Sequence, residues 1–303
     1  MRAAAILGLG CSAKDLKPFQ AATNAEWRLG MPAASDQVDA ILLFGGDGTI
    51  HRHLGQLVRL GLPVLVVPAG SGNDFARALG LHRIRDSLAA WQKFCGGASN
   101  VRSIDLGTIY PMGPVGGALA PPGPRYFCCV AGVGLDTEVA RRANQLPRRL
   151  RGNGGYALAL IPTIFRFAPL LMKILKPAVD SPTHGGDDNP GWAAISDQPT
   201  TLAAFANTPF YGGGMKIAPQ AKMDDGLLDI CVIGALNPFK LFSMFPTVYS
   251  GHHLDIREVE YSHSARVRVQ TEHPIDVYAD GEYVCQTPVE VAIQPAALKI
   301  LTL

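Results

Sequence analysis

The chain has 303 residues, 48% hydrophobic and 17% charged, enough apolar material for a core in each of two ordinary domains and a composition that excludes wholesale disorder. With 27 Lys and Arg against 25 Asp and Glu the formal net charge is only +2, so no global field marks a nucleic-acid binder and an electrostatic partner must be met by a local patch. The 33 Gly and 23 Pro follow no period, which excludes collagen and predicts many loops between short elements.

The first apolar run, MRAAAILGLG, breaks into polar residues before the core of a signal peptide is complete and reads as a strand. Residues 8–13 imitate a dinucleotide fingerprint, but Pro18 interrupts the segment that follows and no acidic ribose partner closes a second strand, so a Rossmann dinucleotide site is not expected. AILLF (40–44) is a continuous apolar run suited to a buried parallel strand. It leads through Gly45-Gly46-Asp47-Gly48-Thr49 into a helix with Ile50, Leu54, Leu57 and Val58 on one face. The unit repeats as VLVVP (64–68), AGSGN, and a helix opening on DFARAL that Gly80 can end. A third helix carries Ile84, Leu88 and Trp91, and VRSIDLGTIY leaves as a strand. Parallel strands joined by helices bring the glycine loops to one sheet edge.

Beyond residue 106 the texture changes. Two Pro/Gly-rich loops (111–124 and 184–191) separate β-like runs, YFCCVAGV, TTLAAFA, LLDICVIG, ARVRVQ, IDVYADGEYV and VEVAI, with Asp280-Gly281 as a tight hairpin turn and PFKLFSMFPTVY as a helix. The expected fold is α/β: residues 1–106 form a three-layer nucleotide-binding domain with a parallel sheet. Residues 107–303 form a mainly antiparallel, β-sandwich-like substrate domain with a few helices, whose last segment is allowed to pack back on the first. The cleft between them is the expected site. Residues 156–176 are apolar but interrupted by Arg166, Lys173 and two prolines, so they do not read as a membrane span. Cys11, Cys95, Cys128, Cys129, Cys231 and Cys285 show no metal or disulfide spacing and read as reduced cytosolic thiols.

The loops are not equivalent as chemistry. Three glycines around Asp47 at the end of a buried strand let backbone approach a phosphate, with an acid placed to meet a metal or a hydroxyl proton; the plain alternative is a turn with Asp47 as helix cap. Pro68-Ala69-Gly70-Ser71-Gly72-Asn73-Asp74 makes a second such loop on the neighbouring unit. No Walker lysine motif is present.

FGGDGTI, PAGSGNDFARALG, IDLG, YGGGMKIAP, AKMDDGLLDI and ADGE, in this order from about Asp39 to Glu282, resemble the diacylglycerol kinase catalytic family, which includes bacterial lipid kinases and the sphingosine and ceramide kinases. The resemblance implies an ATP- and Mg²⁺-dependent transfer of the γ-phosphoryl group to a hydroxyl of diacylglycerol or a related lipid. It implies that Gly45, Gly46, Asp47, Gly48 and Thr49 bind the ATP phosphates, that Gly70, Ser71, Asn73 and Asp74 complete the nucleotide site, and that Lys14 can reach a phosphate. Asp47 and Asp105 are the implied acids of the metal network, with Glu282 the first choice as general base. Lys222, Asp225 and Leu227 are the implied ligands of a separate structural Mg²⁺ site, one carboxylate with two backbone carbonyls. Each has a bland alternative: Asp105 opening a turn, Glu282 solvated on a hairpin, 222–227 a plain β-turn, Lys14 exposed.

The chain departs from the family where hydrophobic-Asn-Glu usually follows GGDGT; here Ile50 precedes His51, Arg52 and His53, read as a surface helix. NAD kinase and a catalytically silent nucleotide- or lipid-binding module are the alternatives. Expected partners are a lipid with a free hydroxyl and a peripheral anionic membrane, met by Arg141, Arg142, Arg148, Arg149 and Arg151. A homodimer is allowed and no nucleic acid is expected; the expected location is cytoplasmic and peripherally membrane-associated.

Overall fold

The structure is a computed structural model that describes residues 1–113, 123–145, 153–178 and 191–303. Parts of both Pro/Gly-rich loops, and Arg148, Arg149 and Arg151, lie outside the described residues.

Strands β1 (Arg2–Leu7), β2 (Glu26–Leu29), β3 (Ala40–Gly45) and β4 (Val64–Pro68) form a parallel sheet in the order β2-β1-β3-β4. Every residue of β3 and β4 is buried, which is why both read as unbroken apolar runs. The chain runs from β1 outward to β2, then returns and runs from β3 outward to β4. With right-handed crossovers this puts α1 (Ala13–Ala21) and α2 (Asp47–Leu60) on opposite faces and opens a crevice at the carboxyl ends of β1 and β3. Helix α2 buries Ile50, Leu54 and Leu57 and stops at Gly61, whose φ of 61° closes the last turn. Phe19 of α1 meets Phe44 edge-on at 5.2 Å, and Trp91 of α4 (Ile84–Cys95) meets Trp27 at 5.5 Å.

Pro18 does not interrupt its segment: α1 runs through it, capped by Ser12 and Asp15 and anchored by buried Leu16 and Phe19. The absent proline N–H is offset by that burial, of order 1.5–3 kcal/mol for each large side chain.

The second half is antiparallel. Strands β7 (Val130–Gly134), β9 (Trp192–Ala206), β8 (Leu170–Pro177) and β12 (Arg266–Thr271) lie side by side; β10 (Leu228–Gly234) pairs with β9 and β11 (Val259–Ser264), and the hairpin β13 (Asp276–Ala279)–β14 (Glu282–Gln286) adds to β7. Alternation sorts each strand's side chains between two cores. In β9, Ala203 and Phe205 enter the sandwich interior, while Leu202, Ala204 and Ala206 face the other core with Leu160, Leu241 and Met244 of α6 (Asn153–Ile164) and α7 (Pro238–Ser250). The apolar window 156–176 is thus split: its first part is α6 and its last part is β8. Strand β7 turns directly into α5 (Leu135–Gln145), a helix the sequence reading did not anticipate.

The two halves share one sheet network. β15 (Val289–Leu301) pairs with β12 and with β5 (Val101–Pro111), is kinked where Ala296 takes a φ of 50°, and ends parallel to β4 through Ile300 and Val64. β5 itself runs unbroken through residue 106. No helix among the described residues is long and apolar enough to cross a membrane.

Candidate active site

Both glycine loops sit at the crevice, and they touch. Built on Gly70, a Cβ would lie 2.5 Å from Gly46 Cα; built on Gly46, it would lie 2.9 Å from Gly70 Cα. Only glycine at both positions allows this approach. Ala69 N donates to Gly45 O at 3.1 Å, and Asn73, at a left-handed φ of 54°, closes its own loop by accepting from Gly70 N (2.8 Å) and donating to Gly70 O (2.7 Å). The result is a double backbone cradle at the amino ends of α2 and α3 (Asp74–Ala78).

The cleft, ≈ 420 Å³, is lined by this cradle, including Asp47, Gly48, Thr49, Gly70 and Ser71, and by groups from the second half: Asp136 and Asn144 of α5, Tyr211 to Gly213, and Asp280 to Glu282 of the β13–β14 turn. Five carboxylates line it, against one described cationic side chain, Arg52. Three of the five are engaged. Asp47 does not cap α2; its Oδ1 and Oδ2 accept from Phe75 N and Asp74 N, both at 3.0 Å, capping α3 instead. Burial first, then the neighbouring Asp74, push its carboxyl up to about 6, against the pull of those two amides. Asp74 accepts from Arg77 and, at 2.7 Å, from Gly213 N, which ties α3 to the segment after β9; burial still raises its pKa. Asp280 accepts from Cys128 N (2.9 Å) and Cys129 N (2.8 Å) and meets His51 Nδ1 at 3.0 Å.

Two acids keep an oxygen to spare. Glu282 lies over the first turn of α2, where a Cβ on Gly48 would fall 2.8 Å from its Oε1, and it makes no hydrogen bond or ion pair with another described residue. Asp136, in the first turn of α5, has a buried Oδ1 without a partner among the described residues, and burial pushes its carboxyl up to about 7. Asp136 and Tyr211 also line a second, ≈ 40 Å³ cavity whose other walls are apolar: Leu160 and Ile164 of α6, Met244, Phe245 and Val248 of α7, with Leu202 and Ile233. Asp136 therefore stands at the junction between an acid-rich cleft and an apolar slot.

Other expected residues are placed elsewhere. Lys14 is exposed on α1 and is not part of the cleft lining; its backbone N–H serves the Ser12 cap. Asp105 is also outside the lining. It is buried, and its two oxygens accept from Gly226 N and Ala296 N, both at 2.8 Å, so it braces the 222–227 turn and the kink of β15. Lys222, Asp225 and Leu227 belong to that turn; Asp225 is exposed and accepts from Leu227 N at 3.1 Å. An exposed carboxylate on a turn whose neighbours carry further oxygens is the kind of group a hard cation takes.

His51 is not a surface residue, since it pairs with Asp280 across the cleft wall. His51 and Asp136 are the functional candidates the sequence reading missed. A signal for Asp136 existed: V-A-G-V-G-L-D repeats the strand, glycines, acid, helix order of the first loop.

The chain matches two family models: the diacylglycerol kinase catalytic domain over residues 16–109, and the YegS C-terminal NAD kinase β-sandwich-like domain over residues 129–302. A diacylglycerol kinase of Mycobacterium tuberculosis is 33% identical over 269 residues, covering 89% of this chain and 78% of that one. The chain belongs to the diacylglycerol kinase catalytic-domain family. Among solved structures this family member is similar to a diacylglycerol kinase from Bacillus anthracis, with TM-score 0.63, 17% identity, and 100% of this chain and 96% of that one covered. It is also similar to an NAD kinase from Archaeoglobus fulgidus solved in complex with ATP, with TM-score 0.51, 15% identity, and 100% and 93% covered. At these identities the two structures speak for the fold: a parallel α/β half followed by a β-rich half, as the sequence implied.

Proposed function

We propose that this family member transfers the γ-phosphoryl group of ATP, with Mg²⁺, to a hydroxyl of diacylglycerol or a closely related lipid. The observation that carries the reading is the division of labour among the acids: in one cleft, a double backbone cradle adjoins the unpaired Glu282 carboxylate and the unpartnered Oδ1 of Asp136, which faces an apolar slot.

With the Thr49, Gly70 and Asp74 N–H groups already donating inside the cradle, those of Gly46, Asp47, Gly48, Ser71 and Gly72 hold and neutralise phosphate oxygens without a lysine. Asp47 is the candidate metal holder of the cleft: its oxygens keep lone pairs beyond those taken by the two amides, and a carboxyl held near 6 ionises readily beside a cation. Bound there, Mg²⁺ supplies charge neutralisation of the transferring group. The turn bearing Lys222, Asp225 and Leu227 holds a separate, structural cation. Asp105 acts on that turn and not on reacting atoms.

The acceptor enters from the other side. The ≈ 40 Å³ slot between α6 and α7 admits only the first carbons of its acyl chain, and its hydroxyl donates its one hydrogen bond to Asp136 on entry, then exchanges it to Glu282 at the cradle. Glu282 takes that proton as the new O–P bond forms and the bond from the γ-phosphorus to ADP breaks, a contribution of roughly 10²- to 10⁴-fold for a well-placed base. Exposed aromatics gather where α6 ends and α7 begins, on the two helices that line the slot: Phe165 lies 5.7 Å from Phe239 and 6.2 Å from Phe242, and Phe239 is 78% exposed. We assign this cluster to the membrane contact. Arg141 and Arg142, expected in that role, both pair with Glu138.

The test is a panel of acceptors, diacylglycerol, sphingosine, ceramide and phosphatidylglycerol in mixed micelles and NAD in solution, with labelled ATP and Mg²⁺. Transfer to diacylglycerol or a close relative is expected. Transfer to NAD alone overturns the lipid reading, and tight ATP binding without any transfer makes the protein a silent binding module.

A further inference from the structure

His51 and Asp280 are 229 residues apart in sequence and meet at 3.0 Å. The His51 side chain is 17% exposed and that of Asp280 0%. Asp280 holds a left-handed φ of 52°, Gly281 follows at 83°, and Glu282 begins β14, so these two residues form the turn from which the free carboxylate projects. The turn is gripped from three sides. The Cys128 and Cys129 amides donate to the Asp280 carboxylate, Asn144 Nδ2 of α5 donates to Gly281 O at 3.0 Å, and His51 reaches in from α2. The first two grips come from the turn's own half of the chain. Only His51 ties it to α2, the helix whose Gly48 lies under Glu282.

We propose that His51 is a positioning residue: its imidazole clasps Asp280 across the interdomain gap and thereby fixes the reach of Glu282 over the amino end of α2. The proposal rests on the kinase reading for its kinetic part and on geometry alone for its structural part. A carboxylate removed from water needs hydrogen-bond donors, and a cationic one makes the shorter and stronger bond. Burial alone lowers the His51 pKa, but the hydrogen bond to Asp280, its charge and that of Glu282 more than offset this, so the pKa rises above the usual value. The groups facing the imidazole from the other elements are these two acids and, beside Asp280, the Cys128 thiol, whose own pKa burial pushes up so that it stays neutral. A group with a raised pKa contributes its stabilisation below the unfolded value and loses it as pH rises through the folded one. The clasp is therefore strongest in acid and weakens as pH rises past the usual imidazole range.

The experiment compares the full chain with His51→Leu and His51→Gln, using hydrogen exchange of residues 276–286 and kinetics with ATP and diacylglycerol micelles. In His51→Leu the hairpin exchanges faster, kcat falls about tenfold, the scale of one charge-assisted hydrogen bond, and KM for ATP stays within about twofold. His51→Gln keeps a donor, recovers most of the protection and of kcat, and abolishes the decline of kcat with rising pH that the clasp predicts for the parent. Unchanged hairpin exchange in His51→Leu overturns the clasp, as does a loss confined to KM or a glutamine variant as impaired as the leucine one. If the parent transfers phosphate to no lipid, the kinase reading fails by itself, and the exchange data still decide the clasp.

Discussion

Two glycine-to-alanine substitutions, 22 residues apart, separate cradle from catalyst. In Gly70→Ala the new methyl would lie 2.5 Å from Gly46 Cα and 3.0 Å from both Gly46 N and Asn73 Oδ1. Carbon atoms meet comfortably at about 3.5–4.0 Å, so the loops must part by roughly 1 Å. Neither partner yields cheaply, because Gly46 is backbone and Asn73 is bonded twice to Gly70. Overpacking of this kind costs about 1–3 kcal/mol. With the cradle as the proposed phosphate site, the loss should appear as a Kd for Mg·ATP raised roughly 5- to 150-fold. In Gly48→Ala the methyl would instead lie 2.8 Å from Glu282 Oε1, the far end of a flexible, solvent-facing side chain. Glu282 swings aside, α2 gains up to about 1 kcal/mol of helix propensity, ATP binding is kept, and kcat falls by about 10² because the base is displaced. Isothermal titration with Mg·ATP and turnover on diacylglycerol micelles read the two apart. A Gly70→Ala protein that binds ATP as the parent does, or a Gly48→Ala protein with parental kcat, refutes the reasoning.

The remaining predictions are shorter. A carboxyl that titrates near 7 instead of 3.8 costs the folded state about 4 kcal/mol at pH 8 and nothing below pH 3.8, so Asp136→Asn should raise Tm at pH 8, leave it unchanged at pH 3.5, and abolish transfer; thermal melts at the two pH values check the sign. Asp105→Ala strands the Gly226 and Ala296 amides and should destabilise by about 2–4 kcal/mol, while kcat per folded molecule stays near parental, as denaturant titration and active-site counting would show. Replacing Phe239 and Phe242 together by Ser should change stability by less than about 1 kcal/mol yet weaken sedimentation with anionic vesicles by roughly tenfold; unchanged sedimentation removes that face from the membrane contact.

What was legible in the sequence was what is local. Ala40 to Thr49 and Val64 to Asp74 announce themselves because an apolar strand, glycines and an acid are consecutive, and right-handed crossovers then leave the loops only one edge to occupy. Asp280-Gly281 was legible as a turn for the same reason. Pro18 was misread because a local helix rule was applied without the burial of Leu16 and Phe19 that offsets it. The 156–176 window is rightly not a span, but its division was not legible, because apolar periodicity cannot tell a buried helix from a buried strand and the chain uses one of each. His51 was taken for a surface residue because a helical residue is exposed or covered according to what the rest of the chain lays over it.

Motif membership, finally, did not decide which acids are free to react. Asp47, Asp105, Asp280 and Glu282 all stand in family motifs, yet both oxygens of Asp47, of Asp105 and of Asp280 are taken by backbone amides. Such a carboxylate fixes loops; what it keeps is lone pairs for a cation, the role proposed for Asp47, and not the freedom of a proton acceptor. Asp136, in no motif the sequence reading used, keeps a buried oxygen with no partner, a state that costs free energy unless a ligand donor meets it. Its position beside an apolar slot, in the same cleft as the double glycine cradle, is the strongest physical reason to look for a hydroxyl there.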